Sequence, residues 1–254
     1  HTIKMLDRNL GATAATCTSD ADALATYGLY YQWGRKDPSM GPEKYDYKQA
    51  NLICAPYYDY SSDEKTAAAV AQFPRPTLKD AVENPMYLIL PTEQTNNYSF
   101  NWLYDRYDFL WGFNEATGMT TKTIYDPCPY GWKVPSADDL SVLYLAEAED
   151  NTDLAVAKKQ YGWHLSDGNN KFFWSACGRR LYTDGKVENM NYKEGVYPAQ
   201  PQPWEGYYWT SSVGADGKAV ALYFDLTTTR TINKFAVSAP HNRANGLQIR
   251  CVKE

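Results

Sequence analysis

Residues 125–136, "YDPCPYGWKVPS", decide how this chain is read. A cysteine stands between two prolines, which fix φ near −65° and remove two backbone donors, so Cys128 is held in an extended, non-helical segment before Gly131 turns the chain. Trp132 and Val134 then read as a short strand that delivers the chain into "PSADDL", a capped helix start. A cysteine set in so stiff a turn calls for a structural explanation.

Downstream, "SADDLSVLYLAEAED" offers Ser136 as N-cap and Asp139 at the N3 position of a capping box. Leu140, Leu143 and Tyr144 follow at i, i+3 and i+4, which predicts a helix. Three apolar pairs separated by Asp-Gly come next, "SDGNNKFFWSACGRRL", "YTDGKVENM" and "GADGKAVALYFDL"; each is a hairpin signal, because a type I′ turn wants φ > 0. "GYYWTSS" and "LQIRCVKE" add two strands, so the C-terminal half is expected to be mostly antiparallel. Trp132, Trp174 and Trp209 fall in these strands and should be buried.

Upstream, "IKMLDRNLGA" alternates imperfectly and predicts an edge strand ending at Gly11. "ATYGLYYQWGRKD" follows the capping residues of "TSDAD" with Leu24, Tyr27 and Tyr30 or Tyr31 at helical spacing, which predicts a short first helix. Residues 37–124 lose periodicity and gather Pro, Tyr, Asn and Asp, with one helical turn expected at "DEKTAAAVAQF". They read as a long insertion with local structure in a single domain spanning 1–254.

The 254 residues, 44% hydrophobic and 22% charged, can bury a core, and a net charge of −5 opposes a phosphate-binding surface, so nucleic acid is excluded as a main partner. No run reaches the roughly 18 apolar residues that a transmembrane helix needs. The opening "HTIKMLDRNLGA" reads as strand rather than a cleavable signal, and the chain reads as the trimmed part of a longer precursor. The five cysteines, at 17, 54, 128, 177 and 251, form no CxxC pair and no zinc-spaced Cys/His cluster. Two bridges and one thiol could be arranged in about 15 ways, and five small buried thiols are the alternative that composition alone slightly favours.

"DRNLGAT" (7–13), "YGLYYQWGR" (27–35), "DPCPYGWKVPS" (126–136), "ACGRR" (176–180), "GYYWTSS" (206–212) and "IRCVKE" (249–254) resemble, in order, the successive motifs of the Fibrobacter succinogenes major paralogous domain family. The resemblance implies an α+β, C-type lectin-like fold: two helices, a small twisted antiparallel sheet and chain ends brought together. It implies an exported or surface-anchored protein of a Gram-negative anaerobe, secreted or held as a lipoprotein, with fimbrial subunits among its partners. It also implies a disulfide between Cys128 and Cys251. Cys17 and Cys54 lie outside the family motifs, and Cys177 stands where the family has a small residue.

Enzymatic signatures are missing from the sequence. There are three histidines, no Gly-x-Ser-x-Gly elbow, no HExxH and no phosphate-cradling glycine loop. Carboxylates such as Glu115 or Asp105 could serve a glycosidase, but thirty Asp and Glu residues make such candidates uninformative. The calcium site of true C-type lectins needs paired Asn or Asp ligands, and "QPQPWEGYYWTSS" lacks them; neither metal nor cofactor is expected. "SDGNN" around Asp167 and Asn169 reads as a turn.

Aromatic residues are the positive signal, with 22 tyrosines and 8 tryptophans, several in loops, as at Tyr57, Tyr58 and Tyr60. Pro198, Pro201 and Pro203 stiffen the segment before Trp204, which would present that ring at low entropic cost. The lectin-like topology would bring Tyr197, Asn242, Arg243 and Asn245 to the same end. The sequence therefore points to a non-enzymatic, extracellular adhesion module of the cell surface or a fimbria, binding carbohydrate or protein without calcium. The competing readings are a glycoside hydrolase and a purely structural surface module.

Overall fold

The computed structural model describes residues 2–17, 23–39, 70–93, 101–145, 147–148, 162–166, 170–185, 187–190, 205–214, 217–226 and 236–254. A helical turn, α1 (Ala23–Thr26), leads into β1 (Tyr31–Gln32). Then β2 (Val70–Phe73), helix α2 (Leu78–Glu83) and β3 (Leu88–Pro91) form a unit whose two strands run parallel. A small hairpin of β4 (Phe113–Asn114) and β5 (Met119–Thr120) precedes β6 (Trp132–Lys133), helix α3 (Ala137–Ser141) and a 3₁₀ turn (Val142–Leu145). Strands β7 (Glu147–Ala148), β8 (Gly162–Ser166) and β9 (Lys171–Ser175) make a three-stranded antiparallel sheet. The main sheet draws on β10 (Cys177–Arg180), β11 (Val187–Met190), β12 (Glu205–Val213), β13 (Ala219–Asp225), β14 (Ala236–His241) and β15 (Gly246–Leu247), and β16 (Val252–Lys253) closes the chain.

The main sheet runs β1-β15-β10-β12-β13-β14, with β11 alongside β10. Its pairs are antiparallel except β10–β12. The architecture is thus mixed and mostly stranded, with short helices. Among the described residues no helix is long and apolar enough to cross a membrane.

All three expected strand pairs form: β8–β9, β10–β11 and β12–β13 are antiparallel, and Gly185 and Gly217 take φ of +72° and +74°, while the Asp-Gly turn between β8 and β9 lies outside the described residues. The opening motif folds as a turn in which the Trp132 amide donates to the Pro129 carbonyl at 3.0 Å, with Gly131 at φ +76°. A side chain at that position would be strained. Cys128 is bridged to Cys251, 123 residues away. Around the bridge, the buried Asp126 carboxylate accepts the Cys128 and Val134 amides, each at 2.8 Å, and an ion pair from Lys122 at 2.9 Å. The expected first strand lies against the last: Met5 bridges Val252, the Leu6 amide donates to Cys251 and the Leu10 amide to Ile249. The two chain ends therefore meet. Cys17 and Cys177 are buried, and Cys54 lies outside the described residues.

Three expectations need correction. The first helix stops at Thr26, and the aromatic run that follows is extended, with Tyr31 paired to Leu247. Tyr27 and Tyr30 pack into one core cluster while Tyr31 and Trp33 pack into another. A strand buried on both faces does not alternate, which is why it imitated helical spacing. The helix after Ser136 has its capping box, with Ser136 Oγ accepting the Asp139 amide and the Asp139 carboxylate accepting the Ser136 amide, but it gives way to a 3₁₀ turn after Ser141. Pairing of Glu147–Ala148 with Leu165 and Ser166 overrides the helical propensity of "AEAED". Val70–Phe73, expected as part of a helical turn, is a strand beside Leu88–Pro91.

The described part of the insertion carries core residues. Ile89, Trp102, Leu103, Leu110 and Trp111 join Trp33, Trp209 and the Cys128–Cys251 bridge in one cluster, and the Trp102 Nε1 donates to the Trp33 carbonyl at 2.7 Å. The second cluster, around Trp163, Trp174 and Tyr208, fills the other side of β12. Trp174 and Trp209 are fully buried as expected; Trp132 is half-buried, with the Lys253 ammonium 5.5 Å over its ring.

Candidate recognition face

Strand β12 is buried along nearly its whole length, and its side chains alternate between the two clusters. Glu205, Tyr207 and Trp209 share one face by the two-residue period of a strand. Tyr223 on β13 pairs directly with Tyr207, their ring centroids 5.2 Å apart. His241, at the end of β14, lies edge-on to Tyr207 at 5.1 Å and to Trp209 at 6.4 Å. Its partner across the ladder is Ala219, and Ala221 follows on the same face; both are small. The Arg179 guanidinium from β10 sits 4.9 Å over the Tyr207 ring.

The centre of this cluster is Glu205, a residue only 8% exposed. Tyr223 donates its hydroxyl to Oε1 at 2.7 Å, and Tyr207 donates its hydroxyl to Oε2. Burial and then the neighbouring Glu205 push the Tyr223 phenol well above its ordinary value, so it stays protonated and donates. His241 is pulled down to about 4, first by burial and then by the charges of Arg179 and Lys218, so its imidazole is neutral at neutral pH. The result is a pre-ordered cluster of aromatic rings around a buried carboxylate that two phenols hold. Glu205 and Tyr207 are themselves buried, so the edge of the cluster that reaches solvent is that of the half-buried Tyr223 and His241. With the phenol held protonated, it does not present a phenolate nucleophile.

Of the residues expected at the binding face, Trp204 and Tyr197 lie outside the described residues, and Trp204 directly precedes Glu205 in the chain. Asn242 is half-buried and its carbonyl accepts the Asn245 amide at 3.0 Å. Arg243 and Asn245 are buried and act from inside. Arg243 lies 4.2 Å over the Trp33 ring, pairs with Asp108 at 2.6 Å and donates to the Lys218 and Tyr107 carbonyls. Two residues beyond His241 in the chain, it thereby holds the residue that precedes β13. Asn245 Oδ1 accepts the Tyr182 amide at 3.1 Å, which holds the chain leaving β10. Both residues position the groups that the face presents, and neither side chain is open to a ligand.

Glu205, Tyr207, Tyr223, His241 and Arg179 were missed from sequence. The available signal was the period-two spacing of Glu205, Tyr207 and Trp209 immediately after the Pro-rich segment. Among the described residues, no three His, Cys, Asp or Glu side chains gather in a metal-holding group.

The face has a defined place relative to the chain ends. Ser211 and Ser212, near the far end of β12, bond to Pro135 and Ala137, beside the β6–β16 pair where the two ends meet. Glu205 opens the strand and Val213 closes it, a span of about 26 Å at 3.3 Å per residue. The aromatic cluster therefore begins at the end of β12 that points away from the joined chain ends. No family model, curated protein or solved structure matches the chain.

Proposed function

We propose that this chain is a recognition module of an exported, surface-attached or fimbrial protein, with a C-type lectin-like fold, that binds a glycan or another protein without calcium and without chemistry. The observation that carries the reading is the Glu205–Tyr207–Tyr223 array, which begins at the end of β12 opposite the joined chain ends. Polypeptide attached at either end would leave from the other pole, so the array would face outward. The Cys128–Cys251 bridge supports export, since reducing compartments do not keep such bonds. The sequence motifs that resemble the Fibrobacter succinogenes major paralogous domain family support the surface assignment. Trp204, one residue before Glu205, supplies the ring that would lead recognition.

The test is binding of the pure protein, in the presence of a calcium chelator, to a glycan array and to a panel of matrix and pilin proteins. Trp204→Ala should keep the fold and weaken the ligand found by about 1–2 kcal/mol, the loss typical of an aromatic hot spot. Absence of any ligand across both panels, or hydrolysis of a polysaccharide by the pure protein, would overturn the proposal.

A further inference from the structure

Arg250 lies fully buried between the first and last segments of the chain, behind the face described above. Its Nε and Nη2 both donate to Asn9 Oδ1, at 3.1 and 2.7 Å, and its guanidinium stacks 4.2 Å over the Trp174 ring. These partners are neutral. The carboxylate that acts on it through space, Asp7, is 64% exposed and has both oxygens bonded by Arg8, at 2.8 and 3.0 Å. An arginine stays protonated at any working pH, so the positive charge is buried without an opposing charge in contact.

Two donors at this point have no acceptor: Arg250 Nη1 and Trp174 Nε1, both buried. The stacking of guanidinium on indole brings the two groups together. The polar groups around them are already committed to each other. Asn9 Nδ2 donates to the Thr26 carbonyl, Ser175 Oγ and Tyr208 OH, and Tyr208 donates to the Ser175 carbonyl at 2.7 Å. The Tyr208 phenol and the Cys177 thiol are pushed up by burial and stay neutral, so neither supplies the missing negative charge.

From this arrangement we infer that Arg250 Nη1 and Trp174 Nε1 form a buried site for a small monovalent anion of halide type, chloride in ordinary media. Two orphaned donors on stacked groups, one of them part of an uncompensated cation, are what a halide would satisfy. A water accepting from both would still have two hydrogens to place among oxygens that are already engaged. Bound there, the anion ties the Asn9 segment, β9 and the C-terminal segment together, so it acts as a structural ligand where the chain ends close.

The experiment compares thermal unfolding in sodium chloride or bromide with unfolding in sodium gluconate at equal ionic strength, gluconate being too large for the site. A halide in hundredfold excess over its Kd should raise Tm by about 5–10 °C. Trp174→Phe keeps the stack and removes one donor, and its halide-dependent increment should shrink relative to wild type. Crystals grown in bromide should show an anomalous peak in reach of both nitrogens. Equal Tm in halide and gluconate, an equal halide increment in Trp174→Phe, or a water or nothing in place of bromide would each overturn the inference.

Discussion

Reducing the Cys128–Cys251 bridge is the perturbation whose size follows most directly from the structure. The bond closes a loop with a sequence separation of 123. In the chain-entropy treatment, ΔS is −2.1 − 1.5R ln n cal/mol/K, which for n of about 123 gives a stabilisation of about 4.9 kcal/mol at 25 °C. That is a large share of the roughly 5–15 kcal/mol that holds a typical domain. Nearly every contact that the bridge reinforces depends on the same closure: Leu6 to Cys251, Leu10 to Ile249, and the β6–β16 pair. Both sulfur-bearing residues are buried, so reduction has to be carried out in denaturant and the protein refolded with the thiols kept reduced. Urea unfolding of the oxidised and reduced forms, analysed with a common m-value, should differ by about 3–5 kcal/mol, the reduced form unfolding at the lower midpoint. A difference below about 1 kcal/mol would refute the reasoning, because closure would then be held by β-pairing alone.

Acid should act through His241. Its folded pKa of about 4 lies below the ordinary 6.5, so its contribution is complete above pH 6.5 and is lost as pH falls from 6.5 through 4, because burial, and then the charges of Arg179 and Lys218, disfavour the new imidazolium. The total is about 3 kcal/mol, and His241→Phe should flatten the difference between urea midpoints measured at pH 7 and pH 4; an unchanged pH dependence would contradict this. Trp209→Ala removes a fully buried ring and the indole donor to the Tyr31 carbonyl, and should cost about 3–5 kcal/mol in the same assay.

Local chemistry made some elements legible. The β10–β11 and β12–β13 hairpins could be read because Asp-Gly supplies the φ > 0 that their turns use, and the start of α3 because Ser136 and Asp139 satisfy each other's backbone donors. The extent of α3 could not be read. Its end is set by Leu165 and Ser166, which lie some twenty residues away in sequence and compete for the backbone of Glu147 and Ala148. The Tyr27–Trp33 run failed for the opposite reason: with both sides buried, its pattern carries no polar face from which a period can be counted. The core role of Ile89, Trp102 and Trp111 was hidden because their stabilising contacts are with distant tryptophans and with Gln32, whose side chain bonds the Ile89 backbone in both directions.

The candidate face shows the same division between local and distant information. The neighbourhood of β12 was legible through its aromatics and prolines, and Arg243 and Asn245 were expected there because the lectin-like topology would bring their segment to the same end. Their chemistry is used inward: Arg243 neutralises Asp108 and caps two carbonyls, and Asn245 holds the chain beyond β10. A loop that connects two strands of one sheet has buried backbone groups to satisfy, and side-chain donors near them are the cheapest supply. At the sheet end the polar atoms fixed by one another are those of Glu205 with Tyr207 and Tyr223, the group on which the proposed recognition rests. Their position can be deduced only once β13 is known to lie beside β12 in the register that sets Tyr207 opposite Tyr223. Rigidity is the consequence that matters for recognition. A carboxylate already held by two phenols keeps its neighbours in place, so under the proposed function a ligand meeting the edge of this cluster would not have to order it first.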